Sequence, residues 1–141
     1  MIRKLEGFMI DDVMKIWLDE NITTHDFIDE EYWRSNYQYV KNALSSAHVM
    51  VYEDEGIIKG FIGLMDEGYI AGLFVSRKYR NQGIGKCLLY RCKKEYNSLR
   101  LHVYEKNIFA INFYKKSGFE IRSIEKSIDT GEIEYWMEWR L

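Results

Sequence analysis

An apolar run, Tyr69-Ile-Ala-Gly-Leu-Phe-Val75, leads into Arg80-Asn-Gln-Gly83-Ile-Gly85-Lys86, which opens an amphipathic stretch from Ile84 to Tyr96. Leu99 to Val103 then reads as another strand. Strand, helix and strand in succession require a right-handed crossover joining two parallel strands. Tyr69 to Val75 is apolar on both faces, as a strand covered on both sides must be, and Gly72 within it predicts a bulge or a close backbone approach. The turn ahead of the helix constrains chemistry as well as fold. The first N–H groups of a helix lack intrahelical acceptors and point one way, and the helix dipole adds positive character there. Gly83 and Gly85 carry no Cβ, so an anion can approach the main chain closely. Arg80 and Lys86 add charge at either edge, so this loop is expected to hold a phosphate or pyrophosphate.

The rest of the chain fills in around that unit. Ile2 to Glu6 lies in a short candidate strand beginning at Met1. Met9, Val13, Ile16 and Trp17 recur at helical spacing, and the polar segment Asn21-Ile-Thr-Thr-His25-Asp26 is expected to separate this helix from the next. Asp29 can cap a second helix with the apolar stripe Trp33, Tyr37, Val40 and Leu44. Ala47–Glu53 and Ile57–Met65 flank Asp54-Glu-Gly56 as a hairpin. Asn107 can cap a short helix from Ile108 to Lys116, ended by Ser117-Gly118. Phe119–Ser127 and Glu132–Leu141 form a closing hairpin, the latter with Ile133, Tyr135, Met137 and Trp139 on one face and Glu134, Trp136 and Glu138 on the wet face. The expected order is β-α-α-β-β-β-α-β-α-β-β: an α+β fold with a mixed, mostly antiparallel sheet, one central parallel pair and helices on both faces.

Composition narrows the function classes. With 141 residues and 47% hydrophobic content the chain suits one domain, residues 1–141. No apolar run reaches membrane-spanning length, and no signal segment opens the chain, so a cytoplasmic protein is expected. A net charge of −2 argues against bulk-charge binding of nucleic acid. Cys87 and Cys92, five residues apart on one helix, face different ways and are expected to stay reduced. The scattered His25, His48 and His102 predict no metal site. The chain also lacks Gly-x-x-x-x-Gly-Lys-Ser/Thr, which argues against a nucleoside triphosphate on the loop.

Arg80-Asn-Gln-Gly83-Ile-Gly85 resembles the nucleotide loop of the GCN5-related N-acetyltransferase (GNAT) family, Gln/Arg-x-x-Gly-x-Gly/Ala. Asn107-Ile-Phe-Ala110-Ile-Asn-Phe-Tyr114-Lys-Lys-Ser-Gly118-Phe119 resembles its second signature, at the family's separation. The front segment, from Ile16-Trp17 to Glu31-Tyr32, is similar to small bacterial, YjaB-like members. The resemblance implies acetyl-CoA as co-substrate, with its pyrophosphate on the amides of Asn81, Gln82, Gly83, Ile84, Gly85 and Lys86. It implies that the pantetheine arm lies along Leu73, Phe74 and Val75, pairing with the exposed strand edge, while Asn107 bonds the same arm. Tyr114 is then expected to protonate the departing thiolate, although its spacing beside Phe113 equally fits a core tyrosine bonded to a neighbour.

Acetyl transfer to an amine needs that amine neutral, and a lysine-type amine is protonated near pH 7. Some protein-acetylating relatives carry a glutamate where this chain has His102, and a histidine can serve as the base. His25 stands in a segment that in this family rims the acceptor site, Glu67 stands at the turn before the central strand, where relatives can hold a base near the substrate, and a water chain would serve equally. Trp33 can wall the acceptor pocket or fill core, while Trp136, on the wet face, fits a pocket wall or a dimer contact. The expected activity is direct attack of a primary amine, on a small molecule or a protein, upon the thioester in a ternary complex. The alternative is a non-catalytic module that binds acyl-CoA to sense or regulate. Monomer and homodimer are both open.

Overall fold

The computed structural model describes residues 1–141. Its strands are β1 (Ile2–Lys4), β2 (His48–Asp54), β3 (Ile57–Met65), β4 (Tyr69–Val75), β5 (Ser98–Tyr104), β6 (Glu120–Lys126) and β7 (Ile133–Arg140). Its helices are α1 (Ile10–Thr24), α2 (Glu30–Ala43), α3 (Ile84–Glu95) and α4 (Ile108–Lys116). All seven strands form one sheet in the order β1-β2-β3-β4-β5-β7-β6. The expected element order holds throughout, as does the α+β class with a single parallel junction, between β4 and β5.

Local chemistry accounts for the elements. The Glu55 and Gly56 turn joins β2 to β3 with both residues at positive φ, the conformation whose twist matches a two-residue hairpin. The Asp29 side chain accepts the Glu31 N–H at 2.9 Å and starts α2. In β4 the pairing skips from Gly63↔Gly72 to Leu64↔Ile70, leaving Ala71 as the extra residue of a bulge. A Cβ on Gly72 would sit 2.7 Å from the Phe74 ring, so the close approach read from the sequence is real.

The sheet separates two apolar clusters. Ile84, Leu88, Leu89 and Cys92 of α3 pack with Ile111 and Tyr114 of α4 against Ile62, Leu99, Leu101 and Met137 on one face. On the other, Val13, Met14 and Trp17 of α1 pack with Trp33 of α2 against Val49, Val51 and Phe61. The α1 and α2 layer lies over β2, β3 and the near edge of β4 and reaches β5 at Tyr104, and its apolar cluster includes no residue of β6 or β7. Cys92 is buried and Cys87 exposed, both free, and burial pushes the Cys92 thiol up to about 12. No helix is long and apolar enough to cross a membrane.

One boundary departs from expectation. Asn21 to Thr24 belong to α1, with His25 as its C-cap, where a polar connector was read. Asn21 Nδ2 donates to the Trp17 carbonyl at 2.9 Å and Thr23 Oγ1 to that of Asp19 at 2.8 Å. These polar side chains bond their own helix one turn back, so they do not end it.

Candidate functional site

The β4–β5 junction makes the site possible. β4 pairs with β3 from Tyr69 to Val75 but meets β5 only through Tyr69↔Arg100. Beyond that pair the two parallel strands part, and the β4 edge from Leu73 to Val75 is left without a strand partner. A cleft of about 590 Å³ occupies the gap. Leu73, Phe74 and Val75 form one wall, and Asn107 to Ala110 with Phe113 and Tyr114 form the other. The loop residues Arg80, Asn81, Gly83, Ile84, Gly85 and Lys86 close one end.

At that end, none of the six successive N–H groups from Asn81 to Lys86 has an acceptor in the chain. The first intrahelical bond of α3 is Cys87 N–H to the Gly83 carbonyl at 2.9 Å. Asn81 and Gly83 are left-handed, φ 63° and 78°, and such alternation curls consecutive amides into an anion-binding nest. Gln82 is exposed and, unlike its neighbours in the loop, is not among the residues that line the cleft. Arg80 Nη2 lies 3.2 Å from Glu20 Oε1, and its guanidinium sits 5.6 Å from the Phe109 ring centroid. Glu20 is only 7% exposed and also accepts the Arg77 backbone N–H at 3.1 Å. The sequence reading overlooked Glu20. Its signal was positional: Glu20, Asn21, Thr24 and His25 form a polar row at i, i+1, i+4 and i+5 on a helix whose other faces are accounted for.

The opposite wall carries Tyr114, 7% exposed and among the residues that line the cleft. Burial raises its pKa well above the ordinary phenol value, so the hydroxyl keeps its proton. Asn107 caps α4 by accepting the Ala110 N–H at 3.2 Å on Oδ1.

His25 lines the same cleft, buried to 8%, stacked on Trp33 at 5.3 Å and edge-on to Tyr104 at 5.0 Å. Burial lowers its pKa to about 4, against a smaller opposing effect of Asp26. Trp33 does not reach the cleft. The apolar stripe of α2 turns it onto Trp17 and into the core, which corrects its assignment to the acceptor pocket.

His102 and Glu67 also lie outside the cleft. His102 stands on the sheet face opposite α3 and α4, its Nδ1 3.0 Å from the Tyr69 hydroxyl and its Nε2 3.7 Å from a Glu125 oxygen. Glu67 sits in the turn before β4 at φ 59°, exposed, with its carbonyl accepting from Arg100. Trp136 shares the His102 face, ring centroids 6.0 Å apart, but is half-buried rather than freely wet. Burial, foremost, raises the pKa of neighbouring Glu134. The arrangement can therefore seat a diphosphate on bare amides, thread an extended arm along an open strand edge, and admit a second reactant from the far face.

Relatives agree with that geometry. The sequence model of the acetyltransferase (GNAT) domain matches residues 18–135. The chain is 34% identical over 140 residues to the peptidyl-lysine N-acetyltransferase YiaC of Escherichia coli, covering 99% of this chain and 96% of that one. It is 32% identical over 123 residues to the peptidyl-lysine N-acetyltransferase YjaB of Salmonella typhimurium, covering 85% and 83%. The solution structure of apo YjaB from Escherichia coli superposes with a TM-score of 0.86 at 25% identity, over 99% of this chain and 96% of that one. A Bacillus anthracis protein solved in complex with acetyl coenzyme A shares the fold with a TM-score of 0.60 at 23% identity, over 67% and 62% of the two chains. The loop, the parted strands and these likenesses together place the chain in the GNAT family, as an N-acetyltransferase that draws its acetyl group from acetyl-CoA.

Proposed function

We propose that this enzyme acetylates lysine side chains of proteins, with acetyl-CoA in the β4–β5 cleft and the peptide on the sheet face opposite α3 and α4. The observation that carries the reading is the row of unpaired amides from Asn81 to Lys86 at one end of a cleft whose wall includes Tyr114. The diphosphate rests on those amides, with Arg80 and Lys86 beside it. The pantetheine arm follows Leu73 to Val75, bonding the free strand edge, with Asn107 across from it. A backbone N–H of that edge steadies the oxyanion of the tetrahedral intermediate.

The amine arrives from the far face, between Tyr32 of α2, Tyr104 and the β6–β7 loop, where the Tyr32 hydroxyl lies 3.5 Å from Asp129. This mouth is aromatic and acidic, with Asp129, Glu125 and Glu134 nearby, and suits a long cationic side chain. Among the candidate bases, His102 stands on that face and is exposed, whereas His25 is buried in the cleft with its pKa lowered to about 4, too weak a base for an ammonium, and Glu67 is exposed in the turn before β4. His102 removes one proton from the ammonium, the neutral amine attacks the thioester carbon, the C–S bond breaks as Tyr114 delivers its proton to the thiolate sulfur, and the second proton lost by the nitrogen on forming the amide restores Tyr114. The two curated relatives carry the peptidyl-lysine assignment in their names, which supports the choice of acceptor.

The test is Tyr114→Phe, assayed by thiol release with a lysine-containing peptide and by calorimetry with acetyl-CoA. Loss of a general acid lowers kcat by about 10²–10⁴ while cofactor affinity holds. Unchanged kcat removes Tyr114 from the chemistry. Failure of every lysyl peptide as acceptor, alongside turnover of a small amine, removes the protein-lysine reading.

A further inference from the structure

The last turn of α1 lies against both elements that line the cleft, and one side chain there is oriented without ambiguity. Asn21 Nδ2 donates to the Trp17 carbonyl, which only accepts, so its Oδ1 must face His25, 3.0 Å from Nδ1. On the other side, Asn107 Oδ1 accepts the Ala110 N–H, which only donates, so its Nδ2 must face His25, 3.3 Å from Nε2. An oxygen on one side and an amide NH₂ on the other admit a single neutral tautomer: the proton on Nδ1, the lone pair on Nε2. The imidazole thus completes an unbroken chain from the Trp17 carbonyl to the Ala110 amide. It joins α1 to the N-cap of α4, positions 82 residues apart in sequence.

The carboxamide of Asn107 has two N–H groups, and His25 takes one of them. With Oδ1 held by Ala110 and one N–H held by Nε2, the amide plane has no freedom to flip, and the second N–H remains for the cleft. The ring itself is immobilised by Trp33, Tyr104 and Phe27, whose centroids lie 5.3, 5.0 and 5.8 Å away. Burial that keeps the ring neutral to about pH 4 keeps this pattern intact across the physiological range.

We propose that His25 is a positioning residue for cofactor binding: as the Nδ1–H tautomer it orients the Asn107 carboxamide so that one N–H is presented to the pantetheine arm. This departs from the acceptor-site role expected of His25, and it rests on the reading that acetyl-CoA passes Asn107.

Two measurements test it. In the ligand-free protein, nitrogen NMR of the His25 ring should place the proton on Nδ1 with an unprotonated, hydrogen-bonded Nε2 at pH 7. The opposite tautomer, or a ring that titrates near neutrality, overturns the proposal. Acetyl-CoA affinity is then measured for His25→Asn, which keeps a partner for Asn21 only, and His25→Gln, whose side-chain oxygen reaches the Nε2 position. Loss of one hydrogen bond predicts about five- to tenfold weaker binding for His25→Asn, with His25→Gln restoring most of it. In an Asn107→Ala background the His25→Asn change should cost less than about twofold, since coupled residues are not additive. An equal loss in both backgrounds, or no loss on Asn107→Ala, shows that His25 does not act through Asn107. Absence of acetyl-CoA binding by the wild-type protein would instead refute the cofactor reading, and the NMR result would stand apart from it.

Discussion

Gly85→Ala should move stability and cofactor affinity in opposite directions. Gly85 is the second residue of α3 and has an ordinary helical φ. A Cβ there would meet Phe113 and Val75 at 3.6 Å, normal van der Waals contact, so the fold accommodates it without strain. Alanine in a helix is favoured over glycine by about 0.5–1 kcal/mol, and thermal unfolding should shift upward accordingly. The same Cβ enters the cleft wall beside the unpaired amides. Charge-assisted N–H···O bonds need about 2.7–2.9 Å between heavy atoms, and a methyl group in the cradle holds a phosphate oxygen beyond that. Losing one such bond costs about 1.5–3 kcal/mol, roughly ten- to a hundredfold in Kd. Differential scanning fluorimetry and calorimetry with acetyl-CoA read both effects on one sample. Gly83→Ala supplies the contrast: its Cβ meets nothing within 4 Å, but its φ of +78° makes alanine cost about 1–2 kcal/mol in stability. A Gly85→Ala protein that binds acetyl-CoA like wild type, or that melts earlier, refutes the cradle argument.

Two further outcomes follow from the α1 brace. His25 has a pKa near 4 when folded and an ordinary value of 6.5 when unfolded. Between those values the unfolded chain binds more protons, so this contribution is complete above about pH 6.5 and is lost as pH falls towards 4. The full difference is at most about 3 kcal/mol, and urea unfolding from pH 7 to 4.5 should show this loss in wild type and not in His25→Asn; parallel curves for the two would refute it. Glu20→Ala leaves the Arg77 N–H without its acceptor and Arg80 without its carboxylate. Arg80 is about one-third exposed and rehydrates, so the destabilisation should be about 2 kcal/mol rather than the larger cost of stranding a buried charge. Denaturant titration checks this, and a change under about 0.5 kcal/mol would mean the pair contributes little.

Much of this molecule was legible in its residues because local rules are strong there. The strand–glycine loop–helix unit announces its free amides through Gly83 and Gly85, and Asn107 and Asp29 announce their helices through capping chemistry that spans only two or three residues. Apolar spacing placed α1, α2 and α3 on their correct faces, including buried Cys92. Polar residues that bond their own helix were misread: Asn21 and Thr23 satisfy carbonyls one turn back, so α1 continues through a segment that composition marks as a connector. Trp33 and Trp136 show the limit of aromatic residues as pointers, since an aromatic on a stripe fills core or lines a pocket according to what lies opposite.

The fold class and the family were therefore settled by the order of residues, since each depends on contacts close along the chain or on a motif of fixed spacing. Which groups meet across the cleft was settled only by tertiary packing. Glu20 reaches Arg80 over 60 positions and His25 reaches Asn107 over 82, while His102 is carried to the far face of the sheet. Those encounters depend on β4 and β5 parting after one residue pair and on the angle at which α1 crosses the sheet. No local propensity encodes either, because both arise from two apolar clusters closing on opposite faces of a twisted sheet.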